Sequence, residues 1–574
     1  MDRKSPVPIV AALRIGGFCS IAAVLLSLVG LVERLDERDI IAGIISLGQA
    51  FLVAASVLAG FLIARQHGRQ AAGGGLLFSA VAGAIPGIAL GLLLVVGEQV
   101  DLRAVLINAS PDLYGILSFG LPSPTAFLVL TGIGAILGAA GGLIQQMPAA
   151  QRGVILRAVA LIGTLGVLQD LIRVIVTNLG LLRLFSWMFG SGGLKGLSIP
   201  GVLGVSSAYV LVLLSTRSIA RRRALRPRVG PLSTAARLGP YVGIAAAVLI
   251  SPWILGQYMS EVFNQVGLFI LMGLGLNIVV GFAGLLDLGY VAFFAIGAYT
   301  VGVLTSTAIG VEAGQIVWGP TLPFFAALPV AVVVAILAGV LLGVPVLRMR
   351  GDYLAIVTLG FGEITRIMAL SDFLKPYIGG SQGIVEVAPI QIGPFGGSDA
   401  VLAFSRPQML FYVILIACCI VAFIAFRLKD SRIGRAWMAM REDEDVSQAV
   451  GLNLVSTKLL AFAAGAAFSG LAGALFASKV GTIYPHSFQL LVSLNILSLI
   501  ILGGMGSIPG VVIGAFALVG LPELLREFAE YRLLVYGAVL IGMMLLRPEG
   551  LLPEEFHRRE LRADATGPPA EPGV

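Results

Sequence analysis

The chain has 574 residues, of which 57% are hydrophobic and only 12% are charged, and its mean hydropathy is +0.97. A soluble globular domain carries about 25% charged residues, so this composition excludes a cytosolic enzyme. The three Cys and three His are scattered along the chain, and neither a metal site nor a bound cofactor is predicted. The net charge of +7 comes with Arg clusters in short hydrophilic gaps, as membrane topology requires, and predicts no nucleic-acid partner. We therefore expect an all-α polytopic integral membrane protein.

Apolar segments of the roughly 20 residues that a spanning helix needs recur along the chain. In its first part they are 15–32, 40–64, 71–97, 125–147, 153–183 and 197–216. The fifth segment is the weakest, because Arg157, Asp170 and Arg173 interrupt it. Glycines four residues apart predict close helix packing, as at Gly134, Gly138 and Gly142. The Arg-rich, Pro-containing stretch 217–240 predicts a domain boundary, which leaves 1–230 as an N-terminal accessory membrane domain of about six helices.

Residues 231–555 are predicted to form a second domain of about ten helices. Its single-span segments are 238–258, 262–282, 288–310, 323–347, 353–374, 407–426, 459–478 and 533–546. The uncharged stretch 480–522 is predicted to hold two more spans, broken within Gly503–Gly510, because successive cytoplasmic Arg clusters must enclose an even number of spans. This scheme has roughly sixteen spans and both termini in the cytoplasm. Residues 556–574 are charged or Pro-rich and predict a disordered cytoplasmic tail.

Motifs for the common enzymatic chemistries are missing from the sequence. It contains no G-x-x-x-x-G-K-[ST] phosphate loop, no G-x-S-x-G nucleophile elbow and no H-E-x-x-H metal pair. No catalytic residue is therefore predicted. If ATP drives this protein, another subunit must bind the ATP.

An irregular segment is predicted between Leu276 and Tyr290, where glycines and one carboxylate interrupt an apolar stretch. Non-helical backbone at membrane depth is tolerated only where it is buried in protein or lines a cavity. A hairpin beside a pore is one interpretation of this segment. A plain cytoplasmic turn with Asp287 at the surface is an equally good one.

A second group of charged residues surrounds the helix that is predicted to begin near residue 353. Asp352 is placed to cap that helix at its positive end. Glu363 and Arg366 are three residues apart on it, so they are expected to pair and to neutralise each other. Mutual neutralisation is favoured over a proton-coupling role for Glu363.

The longest charged loop of the second domain, 427–458, is predicted to contain two short amphipathic helices. The apolar stripe of the first consists of Ile433, Ala436, Trp437 and Met440. The second carries Val446, Ala449 and Val450, with acidic caps at 442–445 and Gly451 as its C-cap. Such a loop is suited to dock on a partner. Packing of one face on its own membrane domain explains the pattern nearly as well.

At these segments the sequence resembles the permease subunits of branched-chain amino acid ABC importers, of the LivM type. The matching stretches are 275–299, 350–366, 379–384, 432–453, 503–514 and 547–551. Their common order makes the resemblance specific over about 240–553, whereas residues 1–230 lie outside it. One departure is Gly380-Ser381-Gln382-Gly383, where the family more often has Gly-Pro-Asn-Gly.

The resemblance implies an all-helical permease of the cell membrane that pairs with a second, related permease. It further implies two cytoplasmic ATP-binding subunits and a soluble extracytoplasmic substrate-binding protein. It places the coupling segment in the loop at about 433–451, with the candidate residues Arg435, Arg441, Glu442, Asp443, Glu444, Ala449, Gly451 and Asn453. Substrate is expected to pass where broken helices present backbone dipoles to a zwitterion. The candidate path residues are Asn277, Gly281, Gly284, Asp287, Gly289, Tyr290, Thr358, Glu363, Asn495, Gly504 and Gly506.

Other functions remain open at this point. A permease of the same family could carry urea or short amides instead of amino acids. An ion-coupled secondary transporter would use Asp170, Asp287 or Glu363 as its ion site. A membrane-embedded enzyme is disfavoured, because no paired carboxylates, His cluster or nucleophile–base spacing is found.

Overall fold

Nearly all of the chain that can be described is helical, as the composition predicts for a polytopic membrane protein. A computed structural model describes residues 8–36, 39–67, 74–100, 102–104, 106, 108–178, 180–190, 196–209, 211, 234–306, 311–312, 315–316, 322–346, 349, 351–392, 402–524, 537, 541–542 and 550–552. The chain divides into two compact units, Met1–Gly239 and Pro240–Val574. The predicted span 533–546 lies almost entirely outside the described residues, and the Arg run 217–228 and the tail 556–574 lie wholly outside them.

The first unit is built on four long apolar helices with short elements between and after them. Its helices are α1 (Pro8–Leu28), α2 (Leu31–Asp36), α3 (Leu47–His67), α4 (Gly74–Gln99), α5 (Pro111–Ser118), α6 (Ser123–Gln146), α7 (Ala149–Val167), α8 (Gln169–Asn178), α9 (Leu182–Phe185) and α10 (Ile199–Tyr209). Strands β1 (Asp39–Ile41) and β2 (Ile45–Ser46) form an antiparallel hairpin before α3. The prediction of one span over 153–183 is wrong, because the helix is interrupted at Leu168 and continues as the shorter α8.

Glycines hold α3, α4 and α6 close together. A Cβ atom on Gly138 of α6 would lie 2.7 Å from Gly83 Cα of α4, and one on Gly60 of α3 would also overlap the Gly138 backbone. A Cβ on Gly134 would lie 2.6 Å from the Gly83 carbonyl oxygen. The close packing predicted for the glycine spacings of α6 is therefore confirmed.

Among the described residues of the second unit, α11, α12 and α19 carry the largest numbers of buried residues. Its helices are α11 (Thr234–Leu276), α12 (Val291–Thr305), α13 (Phe324–Val346), α14 (Asp352–Leu370), α15 (Lys375–Ile378), α16 (Pro407–Lys429), α17 (Arg432–Glu442), α18 (Glu444–Ala449), α19 (Leu454–Val480), α20 (Leu490–Gly503), α21 (Ile508–Ala515) and α22 (Leu521–Leu524). Two π-helices interrupt this series, π1 (Asn277–Phe282) and π2 (Phe516–Gly520). Four short strands make two antiparallel hairpins, β3 (Val311–Glu312) with β4 (Gln315–Ile316), and β5 (Gln391–Ile392) with β6 (Leu402–Ala403).

Both breaks predicted within apolar stretches of this unit are found, but one of them does not separate two spans. The break expected between segments 238–258 and 262–282 is found at Gly256, whose φ is +82° and ψ is −173°, so that α11 consists of two helices joined at a kink. The stretch 480–522 does break at its glycines, but α20 and the helical run Ile508–Glu523 form one pair bent by 119°. Each limb is shorter than a full crossing requires, so the pair is a broken span or a re-entrant hairpin and not two spans.

Within the described residues, nine helices are long and apolar enough to cross a membrane, or ten if the bent pair counts as one span. Helices α10 and α12 are apolar but shorter. The number sixteen stays a prediction, because some of the predicted spans fall on residues that are not described.

Substitution at Gly138 tests the packing of the first unit. We expect Gly138→Ala to destabilise the protein by about 1–3 kcal/mol, because the new methyl group must displace the α4 backbone. The measurement is heat denaturation of the detergent-solubilised protein. Gly132→Ala on the same helix is the matched control, since a Cβ there meets no atom within 4 Å. Equal denaturation midpoints for the two variants would contradict this packing.

Candidate functional site

The irregular segment predicted after Leu276 is mostly buried in protein. All six residues of π1 are buried, and the chain then turns at Gly284, whose φ is +71°, before α12 begins at Val291. A residue without a side chain adopts this left-handed conformation at least cost. The interpretation as a surface turn is wrong, because Asp287 is 0% exposed.

The carboxylate of Asp287 accepts a backbone hydrogen bond within this buried loop. Its Oδ1 atom accepts from the backbone N–H of Gly289 at 2.9 Å. Its Oδ2 atom has no hydrogen-bond partner among the described residues. Burial raises the pKa of Asp287 from 3.8 to about 7, although hydrogen bonds from Gly289 and Thr358 act in the opposite direction.

Three other helices fix the start of α12. The backbone N–H of Leu288 donates to Thr358 Oγ1 of α14 at 3.0 Å, and the Tyr290 hydroxyl donates to the Gly465 carbonyl of α19 at 2.9 Å. The backbone N–H of Val291 donates to Ser493 Oγ of α20 at 2.9 Å. Polar groups that leave the helical ladder are thus satisfied from neighbouring helices, as a low-dielectric environment requires.

Helix α14 also places the predicted charged pair beside this loop. Arg366 forms an ion pair with Glu363 and donates from Nε to Glu363 Oε1 at 3.0 Å, so the expected pairing is confirmed. Glu363 lines a cavity of about 20 Å³ together with Leu288 and other residues, which is room for about one water molecule. The side chain of Asp352, which was predicted to cap this helix, lies outside the described residues. Gly351 occupies the cap position with φ +58°, and Asp352 is the first helical residue.

The hairpin between α20 and α21 is joined directly to π1. The backbone N–H of Gly506 donates to Asn277 Oδ1 at 2.9 Å, and both residues are buried. Gly504 and Gly506 have φ values of +114° and +82°, which other residues rarely adopt. The backbone N–H groups of Leu551 and Leu552 donate to carbonyls of this hairpin at 2.9 and 3.0 Å. Sequence analysis placed these segments in one resemblance but did not predict that they touch.

Most of the remaining path candidates are also packed inside the protein. Gly289 approaches the Thr358 carbonyl so closely that a Cβ atom would overlap it. Asn495 is half-buried on α20, and Gly284 is the exposed member of the set. Path candidates of π1, of the hairpin between α20 and α21 and of the start of α12 thus form one polar junction around π1.

The charged loop has the two short helices that were predicted, but their apolar faces point in different directions. On α17, Trp437 is 1% exposed and donates from Nε1 to the Thr457 carbonyl at 2.9 Å, and Met440 is also buried. For this stripe, packing on the membrane domain itself is the correct interpretation. Ile433, at the start of the helix, is the exposed exception.

Helix α18 leaves its apolar residues uncovered. Val446 is 61% exposed and Val450 is 77% exposed, with Ala449 exposed between them. The predicted caps are confirmed: Asp443 Oδ1 accepts from Val446 N–H at 2.9 Å, and Gly451 follows the helix with φ +89°. This turn is therefore held in shape while its valines face outward.

Two of the eight coupling candidates bind their own membrane domain. Glu444 forms a 2.8 Å ion pair with Lys458, whose side chain is 3% exposed at the start of α19. Arg441 donates from Nη1 to the Gly281 carbonyl of π1 at 2.7 Å. The other six are exposed, namely Arg435, Glu442, Asp443, Ala449, Gly451 and Asn453. Of these, Arg435 donates to the Asp430 carbonyl, and Asn453 caps α19 through Ser456 N–H.

Lys458 was missed by the sequence analysis. A single basic residue near the start of an apolar helix was the available signal, because such a charge is costly unless it is paired. Thr457, Gly465 and Ser493 were missed for a different reason. Their hydrogen-bond partners are distant in the chain, and neutral residues of these types carry no pattern that identifies a contact.

Known proteins are similar to this chain over the region that contains the junction and the charged loop. The family described as the permease component of branched-chain amino acid transport systems matches residues 258–544. The high-affinity branched-chain amino acid transport system permease protein LivM of Salmonella typhimurium is 41% identical over 318 residues, which are 53% of this chain and 72% of that protein. The Escherichia coli K12 protein of that name is 40% identical over 328 residues, or 54% and 74% of the two chains. The E. coli permease protein LivH is 26% identical over 310 residues. No solved structure matches.

The chain belongs to this permease family. The matched residues lie wholly in the second unit and include π1, the loop with α17 and α18, and the hairpin between α20 and α21. The junction described above is therefore part of the permease region.

The buried carboxylate of Asp287 predicts that the stability of the permease depends on pH. Because its pKa is raised from 3.8 to about 7, its contribution is fully present below pH 4 and is lost as the pH rises through 7. We expect Asp287→Asn to raise the heat-denaturation midpoint at pH 8 by about 2–4 °C, with a smaller effect at pH 5. The amide oxygen of Asn can still accept from Gly289. The exposed Glu442→Gln variant is the control, and a midpoint shift of Asp287→Asn that is equal at both pH values would contradict the assignment.

Proposed function

We propose that this permease is the transmembrane subunit of an ATP-driven importer for branched-chain or related amino acids. The 40–41% identity to two LivM proteins, whose names state branched-chain amino acid transport, supports this substrate class. The proposal includes a second, related permease, two cytoplasmic ATP-binding subunits and an extracytoplasmic substrate-binding protein. ATP hydrolysis belongs to the ATP-binding subunits, and this chain contributes neither a catalytic residue nor a cofactor.

The uncovered apolar face of α18 is the observation that carries the ATPase contact. Val446 and Val450 are exposed on a capped helix, whereas the preceding helix is anchored through Trp437. Fully burying one valine side chain contributes about 1.5–3 kcal/mol. Because α17 is anchored on the membrane domain and the exposed face of α18 is apolar, α18 can dock on a partner with little loss of conformational entropy. We assign its partner as the ATP-binding subunit.

The charge distribution supports a cytoplasmic position for this loop. Arg427, Lys429, Arg432 and Arg435 lie within or just before it, and basic residues concentrate on the cytoplasmic side of membrane proteins. Helix α19 starts beside the loop and extends for about 40 Å, at 1.5 Å per residue, to Val480. The backbone pairing of Ile384 with Ile483 is then extracytoplasmic. Both termini are proposed to be cytoplasmic, and the first unit is proposed to be an accessory domain that docks on the partner permease or lipid.

The substrate path is proposed to open at the junction around π1. Broken helices expose backbone dipoles that can meet the charged groups of an amino acid, while apolar side chains accept its hydrocarbon side chain. Closure of the ATP-binding subunits would move the loop, and the loop would move the helices beside it. The pore need not bind substrate tightly if the extracytoplasmic protein selects it.

The docking assignment is tested by placing charge on the exposed face. We expect the double variant Val446→Arg, Val450→Arg to lose co-purification of the ATP-binding subunits and to reduce amino acid uptake at least about tenfold, because two apolar contacts would become buried unpaired charges. Val385→Arg is the control. It is also exposed, but it follows Ile384 at the opposite end of α19. Normal co-purification with the double variant would contradict the docking face.

Ion-coupled secondary transport is the second candidate, favoured by the buried carboxylate of Asp287. Reconstitution of the purified chain without ATP-binding subunits distinguishes the two functions. Uptake driven by a proton or sodium gradient alone would replace the importer proposal. We expect none.

A further inference from the structure

We propose that Arg441 is the positioning residue that transmits movement of the docking loop to the broken helices of the permease. The inference rests on the proposed function and identifies a path through which the loop acts. It consists of two hydrogen bonds in series. The first joins Arg441 to Gly281 of π1, and the second joins Asn277 of π1 to Gly506 of the hairpin.

The first hydrogen bond starts from α17, a helix that is fixed against the membrane domain. Trp437 and Met440 fix α17 against the membrane domain, and Arg441 lies one residue before the end of this helix. Its guanidinium reaches the Gly281 carbonyl at 2.7 Å, a short hydrogen bond from a charged donor. No carboxylate forms an ion pair with Arg441 among the described residues. The side chain is therefore directed to the backbone of the broken helix and not to a neighbouring acid.

Two glycines make these contacts possible. At Gly284, a Cβ atom would lie 2.8 Å from Arg441 Cγ, so any side chain there would push the arginine away. At Gly281, a Cβ atom would overlap Asn277 Oδ1 and lie 2.8 Å from the Gly506 nitrogen. Each of the two hydrogen bonds therefore lies next to a position at which only glycine leaves enough room for the bonded groups.

The second bond reaches an element that is itself irregular. Gly506 lies in the turn between α20 and α21, and the outgoing limb continues into π2. π-Helical turns are rare, and they occur frequently at functional sites. Here the Asn277–Gly506 hydrogen bond starts within π1 and ends in the turn that leads through α21 to π2. A displacement of α17 therefore acts first on the parts of the membrane domain whose helical geometry is already interrupted.

The complete transporter reconstituted in liposomes tests the inference, with leucine uptake and ATP hydrolysis measured together. We expect Arg441→Ala to keep the ATP-binding subunits and ATP hydrolysis but to lower the amount of leucine transported per ATP at least about tenfold. Arg441→Lys, which retains a charged donor, should recover part of the ratio. Gly284→Ala should lower the ratio in the same direction, because it displaces the arginine. Arg432→Ala is the control and should leave the ratio unchanged, because Arg432 is exposed at the start of the same helix and is not one of the coupling candidates.

The outcomes separate this inference from the proposed function. A wild-type transport ratio in Arg441→Ala would overturn the transmission role, and so would loss of the ATP-binding subunits from that variant, since Arg441 would then act in docking. If wild-type permease neither binds ATP-binding subunits nor imports leucine, the proposed function fails first. If the Arg441→Ala permease does not itself fold and insert into the membrane, Arg441→Lys and Gly284→Ala decide, and wild-type ratios in both would overturn the inference.

Discussion

Every backbone N–H and C=O group that leaves a regular helix inside a membrane must find a partner within the protein, and the junction around π1 depends on this constraint. The carbonyl of Gly281 is satisfied by Arg441, and the N–H of Gly506 is satisfied by Asn277. The start of α12 is held in the same manner by Thr358 and Ser493. These bonds let the chain break its helices without exposing unpaired groups to lipid, and they also tie the broken segments to one another.

The loop between α16 and α19 combines an inward and an outward contact surface. Helix α17 directs Trp437 and Arg441 into the membrane domain, and the Glu444–Lys458 ion pair fixes the start of α18. Helix α18 then presents its valines outward. The docking role that we propose for this loop needs both properties, because a flexible loop would absorb the movement of its partner instead of passing it on.

Amphipathic spacing was sufficient to predict the helices α17 and α18 and the glycine after α18, because caps and periodicity are local properties. Amphipathic spacing could not decide whether the apolar face of α17 or that of α18 is covered by the rest of the protein. The same limit applies to Asp287, for which a surface turn and a buried loop fit the sequence equally well until α14, α19 and α20 are seen to enclose it. Parity of Arg clusters predicted two spans in 480–522, but the helical limbs that form there, Leu490–Gly503 and Ile508–Glu523, are each shorter than a full crossing and make a single bent pair.

Composition and hydropathy by themselves determined that this chain is a polytopic helical membrane protein, and ordered motifs determined its resemblance to branched-chain amino acid permeases. Composition, hydropathy and the order of motifs do not depend on which residues are in contact, so the sequence is sufficient to establish them. Only the tertiary structure decided that Arg441 bonds to Gly281, that Asn277 bonds to Gly506, and that Val446 and Val450 stay uncovered. The two bonded pairs are 160 and 229 residues apart in the sequence. Such contacts depend on how helices pack, and helix packing is set by the shapes of all the surfaces together.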